Sequence, residues 1–230
     1  WYSSDEKGRF LREATKFHDR VTRDGSSGFP AEAGRYHLYV SYACPWAHRV
    51  LLLRKLRGLE DAISVSVVDW FMGQDGWHFS ERDGAIPDSV NGKDYLREVY
   101  LAAKPDYTGR VTVPVLWDKE RGTIVNNESR ELIRMLDDAF RDLGDTSVNL
   151  HPPELHDEIE KTIEAIYRPI NNGVYRCGFA SKQEAYDEAI AEMFEAFDHF
   201  EQVLSERRYL CGDRLTEADI CMFTTLFRFD

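Results

Sequence analysis

From residue 35 the chain alternates in steps of two. Tyr36, Leu38 and Val40 fall on one side and His37, Tyr39 and Ser41 on the other, which is a strand pattern. At Cys44 the period changes. Pro45 suits a first helical turn, where its missing N–H is not needed. Val50, Leu52, Leu53 and Leu56 then form a broad apolar face, and Gly58 is placed to end the helix. The β-branched run 63–70 predicts a second strand, so this part reads as a βαβ unit with parallel pairing.

A long stretch follows, 71–110, with one short helical run near 95–103. It far exceeds an ordinary connection, and insertions of this size are often functional. Runs 111–117 and 123–126 read as a hairpin around a polar turn. Pro114 removes a ladder donor, so it belongs at a strand start, an edge or a bulge, and a cis bond before it is possible. Residues 127–136 read as a helix capped by Asn127.

The pattern shifts near 144–153. Beyond it only helices are expected, over 154–170, 182–206 and from 216 onward. Tyr186, Ile190, Met193, Phe194, Phe197, Phe200 and Leu204 recur at helical spacing and are read as a core face. Thr216 and Asp219 fit a capping box, flanked by Leu215 and Ile220 as a staple. The helical pattern still runs at Asp230, so the sequence is expected to continue. Residues 1–34 are polar and read as an extended arm with little core of its own.

Composition narrows the class. The 230 residues are 43% hydrophobic and 13% aromatic, enough for a sizeable core. With 29 basic and 41 acidic residues the formal charge is −12, which disfavours nucleic acid and anionic membranes as partners. No run approaches the roughly 20 apolar residues of a membrane span, and the first residues lack the basic and apolar regions of a signal peptide. Four cysteines, Cys44, Cys177, Cys211 and Cys221, are too sparse for a disulfide framework and lack zinc-type spacing, so a reducing cytoplasm is expected.

Cys44 is the strongest chemical candidate. It sits where a strand hands over to a helix N-terminus, and there free N–H groups and the helix dipole favour a thiolate. The plain alternative is a small buried hydrophobe. Ala47 occupies the position where a dithiol oxidoreductase carries its second cysteine, so a mixed disulfide on Cys44 has to be resolved by an outside thiol. His48 and Arg49 either tune the cysteine by charge or face solvent.

Six segments, 35–49, 72–77, 109–118, 127–129, 171–180 and 208–219, are similar in content and order to the glutathionyl-hydroquinone reductases, the Xi class of glutathione transferases. Among them are Cys44-Pro-Trp-Ala47, Gly73-x-x-Gly-Trp77, Val113-Pro114, Glu128-Ser129 and Asn171-Asn-Gly-Val-Tyr175. The resemblance implies an α/β plus all-α fold, with a thioredoxin-like N-terminal domain followed by a glutathione-transferase-type helical C-terminal domain. The domains would be an arm at 1–34, a glutathione-binding domain at 35–143 carrying the insertion 71–110, and an incomplete helical domain at 154–230.

The resemblance also implies the activity: glutathione-dependent reduction of glutathionyl-hydroquinones through a Cys44–glutathione mixed disulfide. Trp77, Arg110, Val113, Pro114, Glu128 and Ser129 would bind glutathione. The Val113 backbone would pair with its cysteinyl part, Ser129 and nearby N–H groups would hold the γ-glutamyl carboxylate, and Glu128 its ammonium. By the same resemblance Arg110 would face the glycyl carboxylate, and Tyr175 would bind the quinol oxygen. By themselves these side chains read as capping, surface-packing or boundary residues. Arg130 stands where the family commonly has a small polar residue. Glutathione is the implied co-substrate, with no metal or flavin, and a homodimer is implied. Two rivals stand beside this reading: an omega-like thioltransferase or dehydroascorbate reductase, and a non-catalytic interaction module on a transferase fold.

Overall fold

The structure is a computed structural model that describes residues 3–229. The chain divides into two compact units. One is built from residues 15–148, the other from the first 14 residues together with those from 149 onward. In the second unit β1 (Ser3–Ser4) and β2 (Phe10–Leu11) pair as a short antiparallel ribbon.

The unit spanning 15–148 contains β3 (Tyr36–Val40), α1 (Pro45–Leu56), β4 (Ile63–Val67), α2 (Leu96–Ala103), β5 (Val115–Asp118), β6 (Thr123–Asn126) and α3 (Ser129–Asp138). The sheet order is β4-β3-β5-β6. β3 and β4 run parallel, with Leu38 opposite Val65, while β5 is antiparallel to both its neighbours. This is the thioredoxin-type arrangement that the βαβ and ββα readings anticipate.

Boundaries differ from the sequence pattern for local reasons. The strand expected over 63–70 stops at Val67; Asp69 then turns the chain by accepting bonds from the Phe71 N–H and the Ser80 hydroxyl, both at 2.8 Å. The strand expected over 111–117 starts only at Val115, because Pro114 has no donor for the ladder of this interior strand. The Val113–Pro114 bond is cis. Glu128, not Asn127, caps α3, its carboxylate accepting from the Arg130 N–H at 3.3 Å. On α1 the buried residues are Ala47, Arg49, Val50 and Leu53, whereas Leu56 is 39% exposed.

The alternation in β3 does not mark a wet face, since all five residues are buried. Residues of the insertion cover the side carrying His37 and Tyr39. Tyr39 donates to Asp88 at 2.9 Å, and the Phe79 ring lies 5.7 Å from the Tyr39 ring. His37 is bracketed by the Ser64 hydroxyl at 2.7 Å and the Ser66 hydroxyl at 3.0 Å. Ser66 spends its proton on the Pro87 carbonyl at 2.7 Å. Nε2 of His37 therefore donates to Ser66 and Nδ1 accepts from Ser64, which is the neutral ring.

Burial pushes His37 down from 6.5 to about 4. A histidine depressed in the folded state binds its proton first in the unfolded chain. Stability is therefore full above 6.5 and falls as the pH drops from 6.5 toward 4, by about 3 kcal/mol in all. Urea midpoints across that window should drop in the wild type and stay flatter in His37→Gln. Equal slopes would show that another group governs the loss.

The other unit continues with α4 (His156–Ile166), a π-helical turn over Tyr167–Asn171, α5 (Gly173–Gly178), α6 (Gln183–Glu206) and α7 (Glu217–Leu226). Pro169, which cannot continue an α-helical ladder, lies inside the π turn that ends the helix expected over 154–170. Asn171 is buried there and donates to the Cys221 carbonyl and the Thr225 hydroxyl, both at 2.9 Å. The expected core stripe of α6 is only partly inside. Ala185, Ala189, Met193 and Phe200 are its buried residues, while Tyr186, Phe194 and Leu204 are exposed. The Thr216–Asp219 capping box is present.

The first residues are not without a core. Phe10 is buried and stacks on the rings of Tyr175 and Phe179, while Val21 and Phe29 are buried in the sheet unit. Among the described residues no helix is long and apolar enough to cross a membrane.

Candidate active site

The turn after β3 brings Cys44 to the N-cap of α1. Its backbone is extended (φ −90°, ψ 118°), and Pro45 opens the helix without needing a hydrogen-bond partner. The His48 N–H reaches the Cys44 carbonyl at 3.0 Å, which closes the first turn. The side chain is half-buried, with Sγ 3.6 Å from the Val113 carbonyl. The loop ahead of β5 thus meets the start of α1, and Val113 and Pro114 are both buried there.

The second loop of the site leads into α3. Ser129 is buried, and its hydroxyl lies 3.5 Å from Nη1 of Arg49 on α1. Arg49 is itself buried and stacks on the Trp46 ring at 4.4 Å, so it does not face solvent. Glu128 is half-buried. Besides capping α3 it accepts from the Thr15 hydroxyl at 3.4 Å.

Tyr100 joins the two loops. Its buried hydroxyl donates to the Thr112 carbonyl at 2.8 Å and accepts from the Thr112 N–H at 3.2 Å and the Asn127 amide at 3.0 Å. Thr112 directly precedes Val113-Pro114, and Asn127 directly precedes Glu128-Ser129. One phenol therefore fixes the spacing of both segments, and burial pushes its acidity well down.

Trp77 and Arg110 are both half-buried. The Trp77 carbonyl accepts from the Leu96 N–H at 3.0 Å and the Arg110 carbonyl from the Tyr107 hydroxyl at 2.6 Å, so α2 and its following turn hold both positions.

In the helical unit Tyr175 lies on α5. Its ring is packed by Phe10 and Phe179, and the Arg12 guanidinium lies 4.4 Å from the ring centroid. Arg12 is held by the Asn172 side chain at 2.6 Å. Burial pushes the Cys177 and Cys211 thiols up, toward the unreactive neutral form, and Cys221 is fully buried.

Residues 43–139 match the glutathione S-transferase N-terminal domain, and residues 183–230 match the glutathione S-transferase C-terminal domain. The chain is 51% identical over 231 residues to the glutathionyl-hydroquinone reductase PcpF of Sphingobium chlorophenolicum, covering all of this chain and 72% of the relative. It is also 51% identical over 238 residues to the glutathionyl-hydroquinone reductase YqjG of Escherichia coli, covering all of this chain and 73% of that protein. The chain belongs to the glutathionyl-hydroquinone reductases, the Xi class of glutathione transferases.

Solved structures of the class superpose closely. The Xi-class transferase of Natrialba magadii gives a TM-score of 0.91 at 56% identity, covering 97% of this chain and 72% of that one. The glutathione-bound structure of Escherichia coli YqjG gives 0.92 at 52% identity, covering 94% and 72%.

The sequence pattern missed two residues of this Xi-class chain, Tyr100 and Arg12, and left a third, Arg49, undecided. Tyr100 looks like one apolar position in a short amphipathic helix, and nothing local shows that its hydroxyl bridges residues 12 and 27 positions away. For Arg49 the sequence left open whether it tunes Cys44 by charge or faces solvent, and gave no sign that it reaches Ser129. Arg12 lies in a polar segment with no periodicity, and only folding brings it to Tyr175.

Proposed function

We propose that this chain reduces glutathionyl-hydroquinones to hydroquinones with glutathione as co-substrate. The observation that carries the reading is the monothiol site. Cys44 caps α1 with its sulfur 3.6 Å from the Val113 carbonyl beside Pro114, and Ala47 stands where a resolving thiol would be.

The Cys44 thiolate attacks the sulfur of the aryl thioether. The carbon–sulfur bond breaks, the ring takes the electron pair and a proton, and the hydroquinone leaves. Glutathione stays behind as a disulfide on Cys44. A second glutathione thiolate attacks that disulfide, releasing oxidised glutathione and the Cys44 thiolate. Two electrons from two glutathionyl sulfurs thus reduce one ring carbon.

Within this reading the Val113 backbone pairs with the cysteinyl part of glutathione like an added strand. Ser129 and the first N–H groups of α3 receive the γ-glutamyl carboxylate, with the buried Arg49 charge behind them. Glu128 takes the ammonium, Arg110 takes the glycyl carboxylate, and Trp77 packs on the peptide. Tyr175 binds the quinol oxygen, its ring oriented by Arg12. We place the enzyme in the cytoplasm as a homodimer.

The decisive assay supplies a glutathionyl-hydroquinone and glutathione. Hydroquinone and oxidised glutathione should appear one for one. Reduction of dehydroascorbate with the aryl thioether left uncut would favour the omega-like alternative instead.

Tyr100 offers a second check as a positioning residue. Tyr100→Phe leaves the Thr112 and Asn127 groups without their phenol. It should lower stability by about 1–3 kcal/mol and raise the KM for glutathione roughly tenfold, with a smaller change in kcat. A stability loss with unchanged KM would make the residue structural only.

A further inference from the structure

A cluster of ligand-type side chains in the helical unit takes no part in the thiol chemistry. His151 lies on the loop before α4, His156 is the first residue of α4, and Glu160 follows one turn later. One ligand atom from each lies within 4.8 Å of the others. His156 and Glu160 are spaced i, i+4, so they project from the same helix face. The two imidazole rings meet edge to face at 4.7 Å. Glu217, the first residue of α7, is 2% exposed and adds a carboxylate from a third segment.

The distances around His151 are informative. Its Nε2 is 3.5 Å from a Glu160 oxygen and 3.7 Å from a Glu217 oxygen. Both exceed an N–H···O hydrogen bond, which spans roughly 2.7–3.2 Å. Two ligands on one tetrahedral zinc, at bonds of about 2.0–2.2 Å, stand about 3.3 Å apart. The carboxylates are therefore spaced from the nitrogen as co-ligands would be. That nitrogen is shielded from solvent and has no hydrogen-bond partner among the described residues. A buried imidazole nitrogen that faces two carboxylates without bonding either, when it carries no proton, offers an unused lone pair that a cation would take.

We propose that His151, His156 and Glu160, joined by Glu217 from its place beside His151, form a structural site for a zinc-type divalent cation. Two imidazoles and two carboxylates are an ordinary donor set for zinc. His156 and Glu160, the members on one exposed helix turn, swing inward to close the tetrahedron. The ion would cross-link the 149–152 loop, α4 and α7, which are already joined by the Glu217 N–H to the Leu150 carbonyl at 2.9 Å. Its effect is on folding stability and not on the thiol reaction.

The test uses the full chain without an affinity tag, stripped with chelator and titrated with zinc by calorimetry. One equivalent should bind and raise the melting temperature. His156→Ala and Glu160→Gln, both at accessible positions, should each weaken binding at least tenfold and lose the thermal shift. Cobalt in place of zinc should give the visible bands of a tetrahedral nitrogen–oxygen site, without the near-ultraviolet band of a thiolate ligand. Hydroquinone release should be the same in the metal-free and zinc-loaded wild type. No uptake, uptake unchanged in both variants, a thiolate-bound cobalt spectrum, or an unmoved wild-type melting temperature would each overturn the site.

Discussion

Replacing Cys44 with alanine is expected to lower the rate of hydroquinone release by at least about a thousandfold. In the proposed mechanism the Cys44 sulfur forms the bond to the glutathionyl sulfur, and residue 47 is alanine, so no thiol stands there to take over. Positioning effects cannot substitute for it, because the ring keeps the carbon–sulfur electron pair and the departing glutathionyl sulfur needs a thiolate electron pair to bond to. Binding of glutathione should change only a few fold, since Val113, Glu128 and Ser129 are untouched. Wild-type protein mixed with the conjugate in the absence of free glutathione should gain the mass of one glutathione on the Cys44 peptide. Cys44→Ser should gain none. An alanine variant retaining a tenth of the wild-type rate would remove the covalent mechanism altogether.

Arg57→Ala should be the most damaging substitution for stability in the sheet unit. Arg57 is 1% exposed. Nη2 pairs with the Asp137 carboxylate at 2.6 Å and also reaches the Asp137 carbonyl, while Nη1 donates to the Asp145 carbonyl at 2.9 Å. The Arg57 carbonyl in turn accepts from the Asp145 N–H at 2.7 Å. This residue therefore ties the end of α1 to the end of α3 and to the turn that follows. Gly144 in that turn approaches so closely that an added Cβ would lie 2.1 Å from the Arg57 carbonyl oxygen.

Truncating Arg57 strips a buried carboxylate of its guanidinium, a loss of about 3–5 kcal/mol. The melting temperature should fall by roughly 10 °C, read by circular dichroism. Pairing Arg57→Met with Asp137→Leu should recover part of the loss, because the stranded charge is then absent. A drop of less than about 1 kcal/mol in the single variant would show that the pair behaves as a surface one.

The sequence carries the fold well where each element declares itself locally. The change of period at Cys44, Pro45 at the helix start and the Thr216–Asp219 box each specify an element without reference to the rest of the chain. They are visible in the structure as α1 and α7. The sequence is weaker where burial comes from a distant segment. The alternation of β3 reads as one dry and one wet face. In the folded chain the insertion covers the second face and buries His37 and Tyr39. Helical spacing on α6 likewise gives the right helix and the wrong face, because periodicity records which residues are apolar and not which are covered.

Around the candidate site, Cys44 at a helix start and Pro114 before a strand were legible because local rules govern such positions, whereas the sequence pattern put Asn127 and not Glu128 at the cap of α3. By itself the sequence determined the order of the main elements, an alanine in place of a second cysteine at residue 47, and membership of the Xi class through its motifs. Only tertiary structure decided that Tyr100 spaces the two loops, that Arg49 turns inward to Ser129, that Arg12 lies on Tyr175, and that His151, His156 and Glu160 converge. The reason is physical. Local propensities act over a few residues, whereas a hydroxyl or guanidinium satisfied across many positions is fixed by the packing that excludes water around it.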